Sequence, residues 1–274
     1  MGFDSQFKDK RSKTIVLLRC SINGKYTGGR KARFCKLYRI SPEIQFKSGS
    51  ATKTDLIMGL NISKGNMYDF VTHTWNTIKG ECPHGCTYCY MKRYGNQKPV
   101  RFDNKELNTD LGQDNFIFVG SSCDMFAQNI PNEWIVKTLK HCGEYSLNKY
   151  LFQTKNPKNI RRILSYESHV CVTLETNRWY PKVMCNSPIP FDRVQEMKKI
   201  RHPLYITIEP IMDFDVDLFA DIIFSCAPMQ VNIGADTGGH NLPEPTYEKI
   251  LQLIEIIKEF TTIHNKRNLK RLMK

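Results

Sequence analysis

From about residue 66 onward, short apolar runs rich in β-branched and aromatic residues alternate with amphipathic stretches of helical period. That alternation is what a parallel sheet with crossover helices requires, and it leaves few folds open to the chain. The expected strands are Asp69–Trp75, Phe116–Gly120, Lys149–Gln153, Val170–Leu174, Leu204–Ile208 and Gln230–Gly234. Helical stretches follow most of them. Pro131, Pro157, Pro190 and Pro245 stand where first helical turns would begin, a position for which proline is pre-organised. In the last helix Ile250, Leu253, Ile254 and Ile257 recur at helical spacing and read as a core stripe. Six such units are too few to close an eight-stranded barrel, which typically takes about 250 residues. The expected fold is therefore α/β, an open partial (β/α)6 barrel over residues 66–274 ending in a C-terminal helix, preceded by a basic N-terminal extension over residues 1–65.

In such folds the active site gathers at the C-terminal ends of the strands, and a dense cysteine motif falls just after the first. Cys82, Cys86 and Cys89 are spaced C-x3-C-x2-C. Three thiolates so spaced can hold three irons of a [4Fe–4S] cluster and leave the fourth iron without a protein ligand. Clusters that only carry electrons are usually tied by four cysteines, whereas an open coordination position lets a metal site act on a bound molecule. Two other readings fit the same residues. A structural zinc site usually shows two C-x2-C pairs, or one pair with two histidines. Here the close companion is His84, inside the motif and poorly placed to complete a tetrahedron. Buried structural thiols are the third reading, since free cysteine behaves as a small hydrophobe.

With the aromatic Tyr88 just before the third cysteine, the motif resembles the signature of the radical SAM superfamily. The resemblance implies S-adenosylmethionine on the open iron, its reductive cleavage to a 5′-deoxyadenosyl radical, and the partial barrel that these enzymes share. It also implies an external electron donor such as flavodoxin or ferredoxin. Cofactor contacts then fall on the strand ends. Gly120, Ser121 and Ser122 match in position the glycine-rich segment that receives the methionine amino group. Lys155 is placed either to pair with the SAM carboxylate or to sit in solvent at the start of a helix. Glu175 and Asn177 end the fourth strand, with Glu175 placed for ribose hydroxyls, because a carboxylate there is expensive to bury without a partner. Glu209-Pro210 ends the fifth strand. The turn at 234–239 lets backbone approach a ligand closely.

The segments Thr74-Trp75-Asn76, Ser122 to Phe126, Thr154 to Pro157, Ile208 to Pro210 and Gly234 to Gly238 resemble a phage-associated radical SAM family related to spore photoproduct lyase. The likeness covers most of residues 68–245. It implies a nucleic-acid base as substrate, in hypermodification of thymine in viral DNA or in a rearrangement of DNA. The lyase carries a hydrogen-donating cysteine three residues before the Asp of its second-strand loop. Ser121 stands there in this chain, and the cysteine is Cys123, directly before Asp124. A simple lesion lyase is a weaker match for that reason, and Cys123 becomes the catalytic candidate.

Charge points the same way. The chain of 274 residues carries a formal net charge of +13, which favours a polyanionic partner such as nucleic acid. Part of the excess lies in runs at Lys8–Lys13, Lys25–Lys36 and Lys266–Lys274, where it could serve solubility alone. The 1–65 extension includes expected strands near Thr14–Arg19 and Phe34–Ile40, and Cys20 and Cys35 as a weak second metal site. Ten cysteines at irregular spacing, with a polar N-terminus, suit a reducing compartment and so the cytoplasm. No run of about 18 apolar residues suggests a membrane span. Two further functions remain open: a radical SAM enzyme on a small metabolite or peptide, and a non-catalytic zinc-stabilised nucleic-acid-binding module.

Overall fold

A computed structural model describes residues 59–162 and 167–274. The expected strands at 14–19 and 34–40, the cysteines Cys20 and Cys35, and the basic runs at 8–13 and 25–36 lie outside the described residues. The strands are β1 (Asn61–Ile62), β2 (His73–Trp75), β3 (Ile78–Lys79), β4 (Arg101–Phe102), β5 (Phe116–Val119), β6 (Lys149–Thr154), β7 (Ser168–Thr173), β8 (Leu204–Ile208), β9 (Gln230–Ile233) and β10 (Thr262–Asn265). The helices are α1 (Asn132–Glu144), α2 (Pro181–Met184), α3 (Pro190–Met197), α4 (Val216–Ser225) and α5 (Tyr247–Ile257). Eight strands form one sheet in the order β1-β2-β5-β6-β7-β8-β9-β10, parallel throughout except for the antiparallel pair of β1 with β2. The molecule is thus a mixed α/β fold on a mostly parallel sheet.

Period-2 alternation assigns the two faces of that sheet. Ile117, Val119, Tyr150, Phe152, Val170, Val172, Ile206, Ile208, Val231 and Ile233 share one buried core with residues of α1, α3, α4 and α5. Phe118, Leu151 and Cys171 face the other way and pack with Tyr68 and Val71, flanked by Phe70 and Tyr205. The Tyr68 and Phe70 rings stack there at 5.3 Å. This second cluster explains why the first strand is shorter than expected. Only His73–Trp75 joins the ladder, because residues 66–71 fill the inner face instead.

The C-terminus also departs from the expected helix and tail. After α5, whose Thr246 cap accepts from the Lys249 amide, the chain adds β10 as a further parallel strand beside β9. A tight turn at Arg267–Arg271 then anchors on buried Leu269. Thr262-Ile263-His264-Asn265 is too short and too polar to stand out by composition, so pairing with β9 decides its state. Of the prolines, Pro190 is a first helical residue, whereas Pro131 precedes α1 as its cap, Pro157 opens a 3-10 turn, and Pro245 stands one residue before the cap of α5.

Candidate active site

The three motif cysteines lie in an excursion between β3 and β4, whose antiparallel pairing of Ile78 with Phe102 and Lys79 with Arg101 closes its neck. Gly80 makes that neck possible. Its φ is +103°, and a Cβ there would sit 2.6 Å from the carbonyl oxygens of Lys98 and Pro99. The Glu81 amide donates to the Lys98 carbonyl at 2.8 Å across the same neck. The excursion is thereby held over the C-terminal ends of the strands. It borders a cleft of about 940 Å³ lined by Cys82, Cys86 and Cys89, by residues 120–124 and 153–155, and by Glu209, Asp236 and Lys266.

Asp124 joins three segments of the site. Its Oδ2 accepts from His84 Nε2 at 2.7 Å, Thr154 Oγ1 at 2.9 Å and the Lys155 amide at 2.8 Å, while Oδ1 accepts from the Phe126 amide at 2.9 Å. Burial raises the Asp124 carboxyl, but His84 and the two amides outweigh it and hold the pKa below its usual value. His84, inside the cysteine motif, therefore clamps the loop to the sheet. Asn76, just after β2, performs a similar service: its Oδ1 accepts from the Ser122 amide at 2.9 Å and from the Ser121 and Ser122 hydroxyls. Tyr90 closes the arrangement by donating to the Ser121 carbonyl at 2.7 Å. Gly120 carries φ +81° as the chain turns off β5.

Cys86 is buried, with its Sγ 3.2 Å from Ser187 Oγ. The adjoining Cys123 thiol draws Cys82 down to about 6, with His84 assisting, against burial and Asp124. The same contact, reinforced by burial, pushes Cys123 upward, so Cys123 keeps its S–H while Cys82 is the more acidic partner. Burial pushes Cys89 up. Among the described residues, no three His, Cys, Asp or Glu side chains converge as they would on one metal ion. A four-iron cluster asks for something different, since each thiolate binds its own iron at a separate corner. Three thiols lining one open cleft fit that need in donor type.

Glu175 and Asn177 occupy different ground from the residues that line the cleft. Glu175 is fully buried: Tyr88 donates its phenol to Oε1, Arg193 Nη1 donates to Oε2 at 2.6 Å, and Lys155 Nζ lies 3.6 Å away. Burial would raise its carboxyl, but Arg193, Lys155 and Tyr88 hold it at about 2. Burial first, then the Glu175 charge, push the Tyr88 phenol upward, so it remains a donor. Burial likewise opposes the Lys155 ammonium, yet Cys86 and Glu175 outweigh it and the pKa rises. Lys155 lines the cleft with its ammonium 5.2 Å above the Tyr88 ring. Asn177 is turned to Asp215, donating to Oδ2 at 3.1 Å and accepting from the Asp215 amide at 3.0 Å.

Also lining the cleft, Glu209 accepts from Asn66 at 2.8 Å, Asn268 at 2.7 Å and Lys266 at 2.5 Å. Lys266 is buried and lies 4.5 Å above the Tyr68 ring. Arg271 pairs with Glu244. The basic tail at 266–274 is thus in part built into the fold rather than merely solvated. Asp124, His84, Asn76 and Lys266 escape sequence reasoning as site-builders because single polar residues in loops carry no periodic signal.

A mostly parallel α/β sheet with a polar, thiol-lined cleft at its strand ends places that cleft where open α/β folds bind ligands. Solved structures share the fold. A double mutant of spore photoproduct lyase with bound AdoMet and dinucleoside spore photoproduct is similar with a TM-score of 0.53 at 10% identity, covering 74% of this chain and 80% of that one. A cysteine-to-serine mutant of the same lyase gives 0.53 at 11% identity, covering 74% and 79%. A tyrosine-to-phenylalanine mutant gives 0.52 at 11%, covering 74% and 80%. At these identities the likeness is one of fold. The chain belongs to the family described as "Protein of unknown function (DUF5131)", whose pattern matches residues 66–238. It has no match among the curated proteins.

Proposed function

We propose that the chain is a radical SAM enzyme with a partial (β/α)6 barrel, acting on a nucleic-acid base or nucleotide in modification or rearrangement of DNA. The observation that carries this reading is the excursion held by β3 and β4, which sets three cysteines at the C-terminal ends of a parallel sheet. Cys82, Cys86 and Cys89 would hold a [4Fe–4S] cluster. When bound, the cluster and S-adenosylmethionine supply a 5′-deoxyadenosyl radical on reduction. Lys155 would pair with the methionine carboxylate, and the Gly120-Ser121-Ser122 segment would receive the amino group. Glu175 acts through its neighbours: its carboxylate fixes the Tyr88 ring and the Lys155 ammonium, and Asn177 steadies the adjoining loop through Asp215. Cys123, which keeps its S–H beside Cys82, is the candidate hydrogen donor to a substrate carbon radical. Such a transfer leaves a thiyl radical, which an electron from an external donor such as flavodoxin or ferredoxin and a proton from solvent would restore to the thiol.

The shared fold supports the reading, as does the basic balance of the chain. We assign the protein to a reducing compartment, the cytoplasm of a bacterial host if a phage encodes it. Among the described residues, no helix is long and apolar enough to cross a membrane. Anaerobic reconstitution tests the cluster directly. The protein should bind about four irons per chain with a broad absorption at about 400 nm. Ala at Cys82, Cys86 or Cys89 should remove the reduced-cluster EPR signal, while Ala at Cys226, buried outside the cleft, should leave it. Full iron loading in the triple Cys→Ala variant would overturn the assignment.

A further inference from the structure

Directly after Cys89 the chain makes a 3-10 turn over Tyr90–Tyr94, in which Tyr90, Met91, Lys92 and Arg93 line the cleft. Two aromatic rings stand open to solvent there, Tyr90 at 43% and Tyr94 at 62% exposure. Arg93 joins them. Its Cζ lies 5.5 Å from the centre of the Tyr90 ring and 4.8 Å from that of Tyr94, and its Nη2 donates to the Tyr94 hydroxyl at 2.8 Å. Tyr90 is itself tied to the Ser121 carbonyl at 2.7 Å, so the group is fixed to the sheet. Lys92 is exposed beside them and donates to the Gly85 carbonyl at 3.2 Å. No carboxylate is paired with Lys92 or Arg93 among the described ion pairs, and the acid on the cysteine loop is Glu81, across the neck. The other cleft carboxylates, Asp124, Glu209 and Asp236, are engaged with donors of their own.

An open π-face held by a cation, next to unpaired positive charge, matches the two requirements of a single strand of nucleic acid. Bases stack on aromatic rings and guanidinium planes, and phosphates meet the cations. A ring can take a base only if that base is unpaired or turned out of its stack. We propose that Tyr94, outside the cleft lining, and Arg93, within it, form a stacking platform beside the cleft for an unpaired nucleobase next to the reacting one, with Lys92 and Arg93 meeting the flanking phosphates. The proposal rests on the nucleic-acid reading above and adds where the strand is gripped.

Fluorescence anisotropy with the full chain tests it, using a labelled oligothymidylate of about 12 nucleotides and an abasic strand of the same length. Tyr94→Ala should weaken oligothymidylate binding about 5- to 100-fold and leave abasic binding unchanged, while Tyr94→Phe should bind as the parent does. Lys92→Gln and Arg93→Gln should each lower the slope of log K against log salt by about 0.7, on both strands. Iron content and the absorption near 400 nm serve as the fold control and should not change. If the parent binds oligothymidylate and Tyr94→Ala binds equally well, the platform is wrong while the nucleic-acid reading stands. If the parent binds neither strand at low salt, both fall, and the cluster assignment is left to its own test.

Discussion

Glu175 meets other partners than its place at a strand end suggested. That place pointed to ribose hydroxyls, yet its oxygens meet Tyr88 and Arg193, with Lys155 close by. Arg193, 20 residues of chain away from the Thr173 carbonyl that it also binds, could not be matched to it from sequence, because α3 brings it there. Breaking a buried ion pair by removing one partner is costly. Glu175→Ala should therefore destabilise the protein by about 3–5 kcal/mol, measured by urea unfolding, and Glu175→Gln by less, since the amide can still accept. The pH dependence has a definite sign. The Glu175 carboxyl is lowered from 4.5 to about 2, so its contribution is complete above 4.5 and is lost as pH falls towards 2. The parent should lose stability in that window, and Glu175→Gln should show a flatter acid limb there; equal acid limbs would show that the ion pair is not formed.

At the scale of elements, the parallel strands were legible because each is a short apolar run, and five of the six expected ones keep close to their expected bounds. The first strand and β10 were not. Residues 66–71 are as apolar as a strand, but their rings are used to fill the inner face. Tyr68 is central to that filling, being buried and donating to Gln153 at 2.8 Å. Tyr68→Phe keeps the packing and should cost about 1 kcal/mol, whereas Tyr68→Ala opens a cavity and should cost about 3–5 kcal/mol. Equal, small losses in chemical denaturation would mean that the segment does not carry the inner core. The cysteine excursion makes a second case. Its three thiols are plain in sequence, while the β3–β4 neck is two residues on each side and leaves no pattern. Gly80→Ala places a Cβ against two carbonyls and demands positive φ. It should reduce iron loading severalfold while the far-ultraviolet circular dichroism of the sheet stays near that of the parent.

For the molecule as a whole, sheet, neck and cleft carry one consistent chemical account. The sheet ends supply a floor of polar residues, the excursion lowers three thiols onto it, and the rim beyond Cys89 presents rings and cations to the solvent. Sequence alone reached the α/β class with its parallel strands, and it singled out the three cysteines, because both are patterns along the chain. The organisers, His84 with Asp124 and Lys266 with Glu209, emerge only when loops 40 and 57 residues apart meet. Cleavage of S-adenosylmethionine tests the central claim most directly. Protein reconstituted without oxygen, reduced with dithionite and given S-adenosylmethionine and oligonucleotide should release 5′-deoxyadenosine and methionine, and the Cys82→Ala, Cys86→Ala and Cys89→Ala variants should release none. A fully iron-loaded parent that forms no 5′-deoxyadenosine would contradict the account.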